Sequence, residues 1–509
     1  MGKGMRTVAQ TAVLMAILTL ISKLLGFVRE MVLAGFFGAS YVVDSYVMAQ
    51  SIPNIIFAGI LGAVATAYMP IFSREIELKG EEAGNLYTSQ VINILLIISV
   101  IACLIGLLFS DQIVGIFASG FTGKTAELTS FFVKITFTYI LFTSVNGILE
   151  NYLRYKNTFL PQIIIGYSQN LIVIATIIIS AYYSYYLLVF GLVAAYIIRL
   201  SLMGRLSLRK GFRYIPGMKG LGDTGKKIAV LALPVFIGSS VSQINQFVDK
   251  TLASGLQEGS VSALNYGNLL VGMITGLTVT IITTIIYPKM TQAAALEDTK
   301  TVGMLLSKGV NIILMIAIPF TLGIAVFSQP VVQIVYERGA FDPAATSLTN
   351  SAFLCYGLGL IFLSLNTHIV QAFYSQKNMR TPVYCGIIGV IVNVTLNLIL
   401  VRFMAHAGLA LATSIAAGVN TCLLMYLFSR RYRGIQVVES WKKIGRIALA
   451  AAVSVGCAWG VYAGLMAAVW MPRMVYLGFA VLAAGMVYLA LLKAFRVDEL
   501  EMLRGILRR

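Results

Sequence analysis

Apolar runs of 18 or more residues recur from one end of this chain to the other, separated by short charged or Gly/Pro-containing breaks. A run of that length crosses a bilayer core as a helix. The alternating ten-residue segments that mark transmembrane strands are absent. Only helices and closed barrels satisfy their own backbone in lipid, so the pattern predicts an all-α polytopic membrane protein. Fourteen spans are expected, at about 9–37, 44–72, 88–109, 128–153, 160–181, 185–206, 227–253, 262–288, 304–327, 346–373, 382–402, 407–429, 444–468 and 474–494. No break is long enough for a folded soluble domain. The chemistry is therefore expected within the membrane or at its faces.

Composition agrees. Of 509 residues, 58% are hydrophobic and 11% charged, against about 25% charged in soluble domains. The net charge of +18 is one-sided once the spans are threaded through a bilayer. Twenty-nine Lys and Arg fall on one side and four, Lys124, Arg338, Arg402 and Arg473, on the other. The positive-inside rule then puts both termini in the cytoplasm. The charge needs no nucleic acid partner, and anionic lipid headgroups are its natural neighbours. Five scattered cysteines without CxxC pairing indicate no disulfide framework. The N-terminus has no small-residue cleavage site after its apolar run and reads as a retained first helix.

The chain also repeats. "FVREMVLAG" (Phe27–Gly35) aligns with "FVDKTLASG" (Phe247–Gly255) at an offset of 220, and "KNTFLP" (Lys156–Pro161) with "KNMRTP" (Lys377–Pro382) at 221. "YMPIFS" around Pro70 has its counterpart in "IYPKMT" around Pro288. Six spans per repeat give two parallel halves that enter the membrane in the same direction. The expected organisation is an N-terminal six-helix lobe with a cytoplasmic linker over 1–219, and a C-terminal six-helix lobe over 220–435. Helices 13 and 14 with a cytoplasmic tail follow over 436–509. The two lobes are expected to face each other across a central cavity.

Charges inside such spans are costly, about 2.5–3.5 kcal/mol each at a helix centre on insertion scales, and they face an interior or a wet cavity. Lys23, Arg29 and Glu30 lie in the first span, and the repeat puts Asp249 and Lys250 at the equivalent place. A binding role in a cavity competes with snorkelling or a structural ion pair. Asp44 begins the second span, which Pro53 breaks next to Asn54. Ser262 and Asn268 lie in span eight. Asn393 and Asn397 share one face of span eleven at i, i+4. Plain interhelical hydrogen bonding is the competing account of these polar residues. "GLGDTGKK" (Gly220–Lys227) mimics a phosphate loop, but Lys227 stands where Ser or Thr is needed, no strand pattern precedes it and a span follows. His368 and His406 are isolated and indicate no zinc site.

These residues resemble a family. "SKLLGFVRE…FGAS…D…IPN…P" in the first two spans is similar to the opening of the MurJ/MviN lipid II flippases, in the multidrug/oligosaccharidyl-lipid/polysaccharide exporter superfamily. "YERGAFD" (Tyr336–Asp342), "AFYSQKNMRTPV" (Ala372–Val383), "NVTLNL" (Asn393–Leu398) and "AGLALATSIAA" (Ala407–Ala417) resemble its second-half motifs. The resemblance covers about residues 15–430. It implies a cation-lined V-shaped cavity, alternating access, and a groove for the lipid tail formed by helices 13 and 14. In the family pattern Arg29 is the essential first-helix arginine, Lys23 stands at a usual arginine and Glu30 replaces an aspartate. Asp44 and Asn54 match, and Asp249 matches an acidic residue implicated in Na⁺ binding, with Asn393 and Asn397 as further candidate ligands. Phe57, Ala58 and Leu269 stand where the family carries phosphate-binding arginines.

The resemblance thus implies a transporter, not an enzyme, in the bacterial cytoplasmic membrane. Its substrate would be the undecaprenyl-diphosphate-linked peptidoglycan precursor. Arg29, Lys23, Glu30, Asp44, Asn54, Lys250, Ser262 and Asn268 are the candidate binding residues. No cofactor is expected beyond Na⁺ or H⁺ as coupling ion, and the cell-wall synthesis machinery is a candidate partner. The alternatives are an exporter of another polyprenyl-linked glycan, a cation-coupled drug antiporter, a membrane-embedded glycosyltransferase, or a scaffold for wall synthesis.

Overall fold

Every one of the fourteen apolar stretches is helical. The computed structural model describes residues 2–217, 220–432, 437, 440–468 and 472–497, and all regular structure among them is helical. Lys219, Arg433 and residues 435–436, where the expected lobe boundaries fall, lie outside the described residues, as do Arg504, Arg508 and Arg509 of the tail. Among the described residues, eight helices are long and apolar enough to cross a membrane, or up to eleven if each of three bent pairs is one span.

By packing, the chain divides into two compact units, Met1–Ser262 with Arg338–Asp342, and Ala263–Glu337 with Pro343–Arg509. The first contains α1 (Gly2–Phe37), α2 (Tyr41–Lys79), α3 (Glu81–Leu108), α4 (Ser110–Phe117), α5 (Gly123–Thr136), α6 (Tyr139–Tyr155), α7 (Leu160–Tyr182), α8 (Leu187–Arg209) and α9 (Leu221–Ser254). Sequence repetition and packing divide the chain differently here. By repetition α9 opens the second half, but it packs against α2, α3 and α4. At 39 residues α2 is about 58 Å long, more than a hydrocarbon core is thick, and it organises the unit by touching α3, α5, α6 and α9. Its lower half joins an aromatic core in which Tyr68 stacks on Phe72 and Tyr87 with centroids 5.0 and 5.5 Å apart. The Tyr68 hydroxyl is matched to Thr88 at 2.8 Å, as a buried phenol requires.

The linker ahead of α9 is held by α3. Asn85, Ser89 and Asn93 recur at i, i+4 and i+8 and so share one face. Asn85 Nδ2 donates to the Gly211 carbonyl (3.1 Å), Ile215 N donates to Ser89 Oγ (3.0 Å), and Asn93 Nδ2 donates to the Gly217 carbonyl (3.2 Å). No strand precedes Gly220 among the described residues, so the phosphate-loop lookalike is a docked linker leading into a helix.

The second unit holds the body of α10 (Ser260–Ile281), a π-helical turn at Ile282–Ile286, and then α11 (Tyr287–Ala295), α12 (Thr299–Tyr336) and α13 (Pro343–Leu358). It continues with α14 (Leu360–Ser375), α15 (Arg380–Arg431), α16 (Trp441–Ala468) and α17 (Arg473–Ala494). The spans expected at 382–402 and 407–429 are the two arms of α15, which breaks at Ala405 (φ 48°, ψ −131°). The expected spans 128–153 and 346–373 are each bent, by 41° between α5 and α6 and by 45° between α13 and α14. Helices α16 and α17 pack on each other and on α12 through Phe327, Val455, Ala458, Tyr462, Tyr476 and Ala480.

Candidate functional site

The charged residues of α1 are not equivalent. Glu30 is 8% exposed, and its Oε1 accepts from Arg29 Nη2 at 2.7 Å and Nε at 3.1 Å. Arg29 Nη1 reaches Asn170 Oδ1 on α7 at 3.4 Å, and a quarter of the Arg29 side chain stays accessible. Glu30 is thus the counter-ion of Arg29 within an apolar span. Tyr46 on α2 and Tyr196 on α8 lie within electrostatic reach of Arg29. Tyr196 stacks on Tyr139 (4.8 Å, 16°), whose hydroxyl donates to the Gln50 carbonyl at 3.1 Å. On α9, partly buried Lys250 feels Asp44, Asp249 and Glu30. Lys23 is exposed on α1 and is not in an ion pair with any described residue.

Asp44, on α2, lies at the start of α10. It is 2% exposed and accepts from the backbone N–H groups of Gly259 and Ser262, both at 2.7 Å, and from Ser262 Oγ at 2.5 Å. A helix start leaves orphan N–H donors and a positive dipole end, and Asp44 satisfies both for α10. The capping is reciprocal, since Glu258 Oε1 accepts from Tyr41 N at the start of α2 at 2.8 Å. Asp44 and Ser262, expected as headgroup ligands, are engaged with each other here. Asp44→Ala strips acceptors from two buried N–H groups at a cost of about 1–3 kcal/mol each. It should speed hydrogen exchange at 259–262, with little change in α7 and α8. Unchanged exchange at 259–262 would refute the capping role.

The "YERGAFD" motif serves backbone contact. Ala340 N donates to the Gly35 carbonyl at 2.8 Å. Gly38 (φ +65°) leaves no room for a side chain, since a Cβ there would lie 2.5 Å from the Ala340 carbonyl oxygen.

The remaining candidates separate. Asn54 is exposed on α2, and Asn268 is exposed on α10. Asn393 and Asn397 are buried, with Asn397 Nδ2 donating to Asn393 Oδ1 (2.8 Å) and Asn393 Nδ2 to Thr413 Oγ1 (3.2 Å). They tie the two arms of α15 together. Among the described residues no three His, Cys, Asp or Glu gather as metal ligands. Both histidines serve packing, His368 Nε2 lying 2.9 Å from the Leu306 carbonyl and His406 Nε2 2.9 Å from that of Leu348. Phe57 is buried and meets Phe137 edge-on at 6.5 Å, so this position has become core.

Two features escaped the sequence reading. The first is an ion pair inside the first unit, Arg199 Nη2 to Glu150 Oε1 at 2.5 Å, with Arg199 Nη1 also donating to Gln169 Oε1 at 2.5 Å. The one acid of the fourth span, Glu150, and a base deep in the sixth, Arg199, were the signal available. The second is the detailed form of a cleft of about 460 Å³ in the second unit, between α12, α16 and α17, lined by residues such as Phe320, Phe327, Val455, Val481 and Gly485. Pro319 has no N–H for the Met315 carbonyl, and the Tyr488 hydroxyl donates to that carbonyl instead at 2.7 Å. The cleft wall is thereby left almost wholly apolar.

A family profile described as "Lipid II flippase MurJ" matches residues 33–491. The chain is 28% identical over 442 residues to the probable lipid II flippase MurJ of Rickettsia prowazekii (strain Madrid E), covering 85% of each. It superposes on a solved structure, "Lipid II flippase MurJ, inward closed conformation", with TM-score 0.82 and 26% identity over 96% of this chain and 99% of that one. It shares its fold with an inward-facing multidrug resistance MATE family transporter of the MOP superfamily, at TM-score 0.67 and 14% identity over 82% of this chain and 96% of that one.

Proposed function

Because this chain belongs to the lipid II flippase MurJ family, we propose that it carries lipid II from the inner to the outer leaflet of the bacterial cytoplasmic membrane by alternating access. The observation that carries the reading is Arg29, a guanidinium held in an apolar helix with a quarter of its side chain accessible. A diphosphate suits it, because a planar fork binds two oxygens at once and each contact strengthens where water is scarce. Glu30 and Asn170 fix the direction of that fork, and Lys250 adds a second positive charge to the same unit. The apolar cleft of α12, α16 and α17 suits the polyprenyl tail.

Moving about two negative charges outward against an inside-negative potential of ~100 mV is downhill by roughly 4–5 kcal/mol, so no nucleotide is required. Asp249 is the candidate for a Na⁺ or H⁺ that resets the carrier. Both termini lie in the cytoplasm in this reading, with the basic face against anionic lipids. The test is rescue of a bacterium depleted of its own lipid II flippase. Growth and normal shape are expected, and failure to rescue despite normal membrane insertion would overturn the assignment.

A further inference from the structure

The Arg199–Glu150 pair lies in unit one outside the contacts given to Arg29, yet the two are joined through one helix. We infer that Arg199 and Glu150 are positioning residues that orient Arg29 for the diphosphate by fixing the rotation and register of α7. The inference rests on the flippase reading for its ligand, but its geometry is independent of it.

Helix α7 has two polar faces. Gln162 and Gln169 are seven residues apart and so share one face. Gln162 Nε2 donates to the Glu150 carbonyl at 3.1 Å, and Gln169 Oε1 accepts from Arg199 at 2.5 Å. Tyr167 and Asn170, three residues apart, share the other face. The Tyr167 hydroxyl donates to the Leu18 carbonyl of α1 at 2.6 Å, and Asn170 accepts from Arg29 at 3.4 Å. One side of α7 is therefore pinned to α6 and α8, and the other side holds α1 at two heights.

The anchor is rigid for a physical reason. Glu150 Oε1 accepts from both Arg199 (2.5 Å) and Asn146 Nδ2 (2.7 Å), and roughly three quarters of each charged side chain is shielded. Breaking an ion pair in such surroundings leaves an uncompensated charge, so the pair is a fixed post between α6 and α8, and α7 cannot turn or slide without losing the Gln169 and Gln162 hydrogen bonds that tie it there.

The test uses the full chain in lipid nanodiscs and two probes, undecaprenyl diphosphate and the uncharged undecaprenol. Arg199→Gln is expected to weaken undecaprenyl diphosphate binding about tenfold and to leave undecaprenol binding unchanged. Combined with Arg29→Ala it is expected to add nothing, because it acts only through Arg29. Should Arg199→Gln fail to fold, Gln169→Ala is expected to give the same selective loss. An equal loss for both probes, or a full further loss on the Arg29→Ala background, would overturn the inference. Loss of diphosphate binding in Arg29→Ala, with no change in Arg199→Gln or Gln169→Ala, would overturn it and spare the flippase reading. No effect of Arg29→Ala itself would overturn that reading instead.

Discussion

Arg29→Ala should abolish rescue of flippase-depleted cells and also destabilise the protein, and the two effects can be separated. Glu30 is left 8% exposed with its counter-ion gone, a loss of about 3–5 kcal/mol for a broken buried pair. The diphosphate separately loses a charge-assisted contact worth about 1.5–3 kcal/mol, which alone lowers affinity roughly tenfold to more than a hundredfold. Removing both partners, in Arg29→Ala with Glu30→Ala, relieves the orphaned carboxylate. Thermal unfolding in detergent should then return most of the way to wild type while rescue stays absent. Arg29→Lys keeps a charge but not the fork that meets Glu30 twice and Asn170 once, so partial rescue is expected. Full growth with Arg29→Ala at normal membrane levels would rule out the headgroup role.

Gly485→Trp is expected to stop transport from the opposite end of the substrate. Gly485 lines the cleft of about 460 Å³, and nothing lies within 4 Å of where its Cβ would be. The indole therefore enters open space, with little strain on the fold. What it displaces is costly to lose, because each buried methylene of a hydrocarbon tail contributes about 0.8 kcal/mol. Exclusion of six of them amounts to about 5 kcal/mol, enough to reduce tail affinity more than a thousandfold. Gly478→Trp is the control, since Gly478 lies on the same helix in open space but does not line the cleft. Undecaprenol binding should fall for Gly485→Trp and hold for Gly478→Trp, with unfolding temperatures alike. Equal binding by the two variants would show that the cleft does not take the tail.

The positions where reading and structure part are instructive. Asp44 and Ser262 look like ligands in a linear chain, because an acid and a hydroxyl in apolar spans are costly unless used. They are used, but on each other across 218 residues, where a helix start needed an acceptor. Asn393 and Asn397 follow the same logic within α15, and Phe57 turned a position associated with arginine into core. Arg199 and Glu150 stand in different spans, 49 residues apart, and nothing local says that they meet.

Hydropathy along the chain was sufficient for the helices, their approximate ends and the membrane class. In lipid every backbone group must be satisfied within its own segment, so that information is local. The motifs around Arg29 likewise pointed to the family. Only the tertiary structure decided which polar side chains are spent on capping and packing and which keep an accessible face. It also decided that α9 packs with the first unit and that Pro319 and Tyr488 together leave an apolar wall. Those outcomes depend on pairings between residues far apart in sequence, and in a low-dielectric interior a pairing within 3 Å decides whether a charge is a structural tie or a binding site.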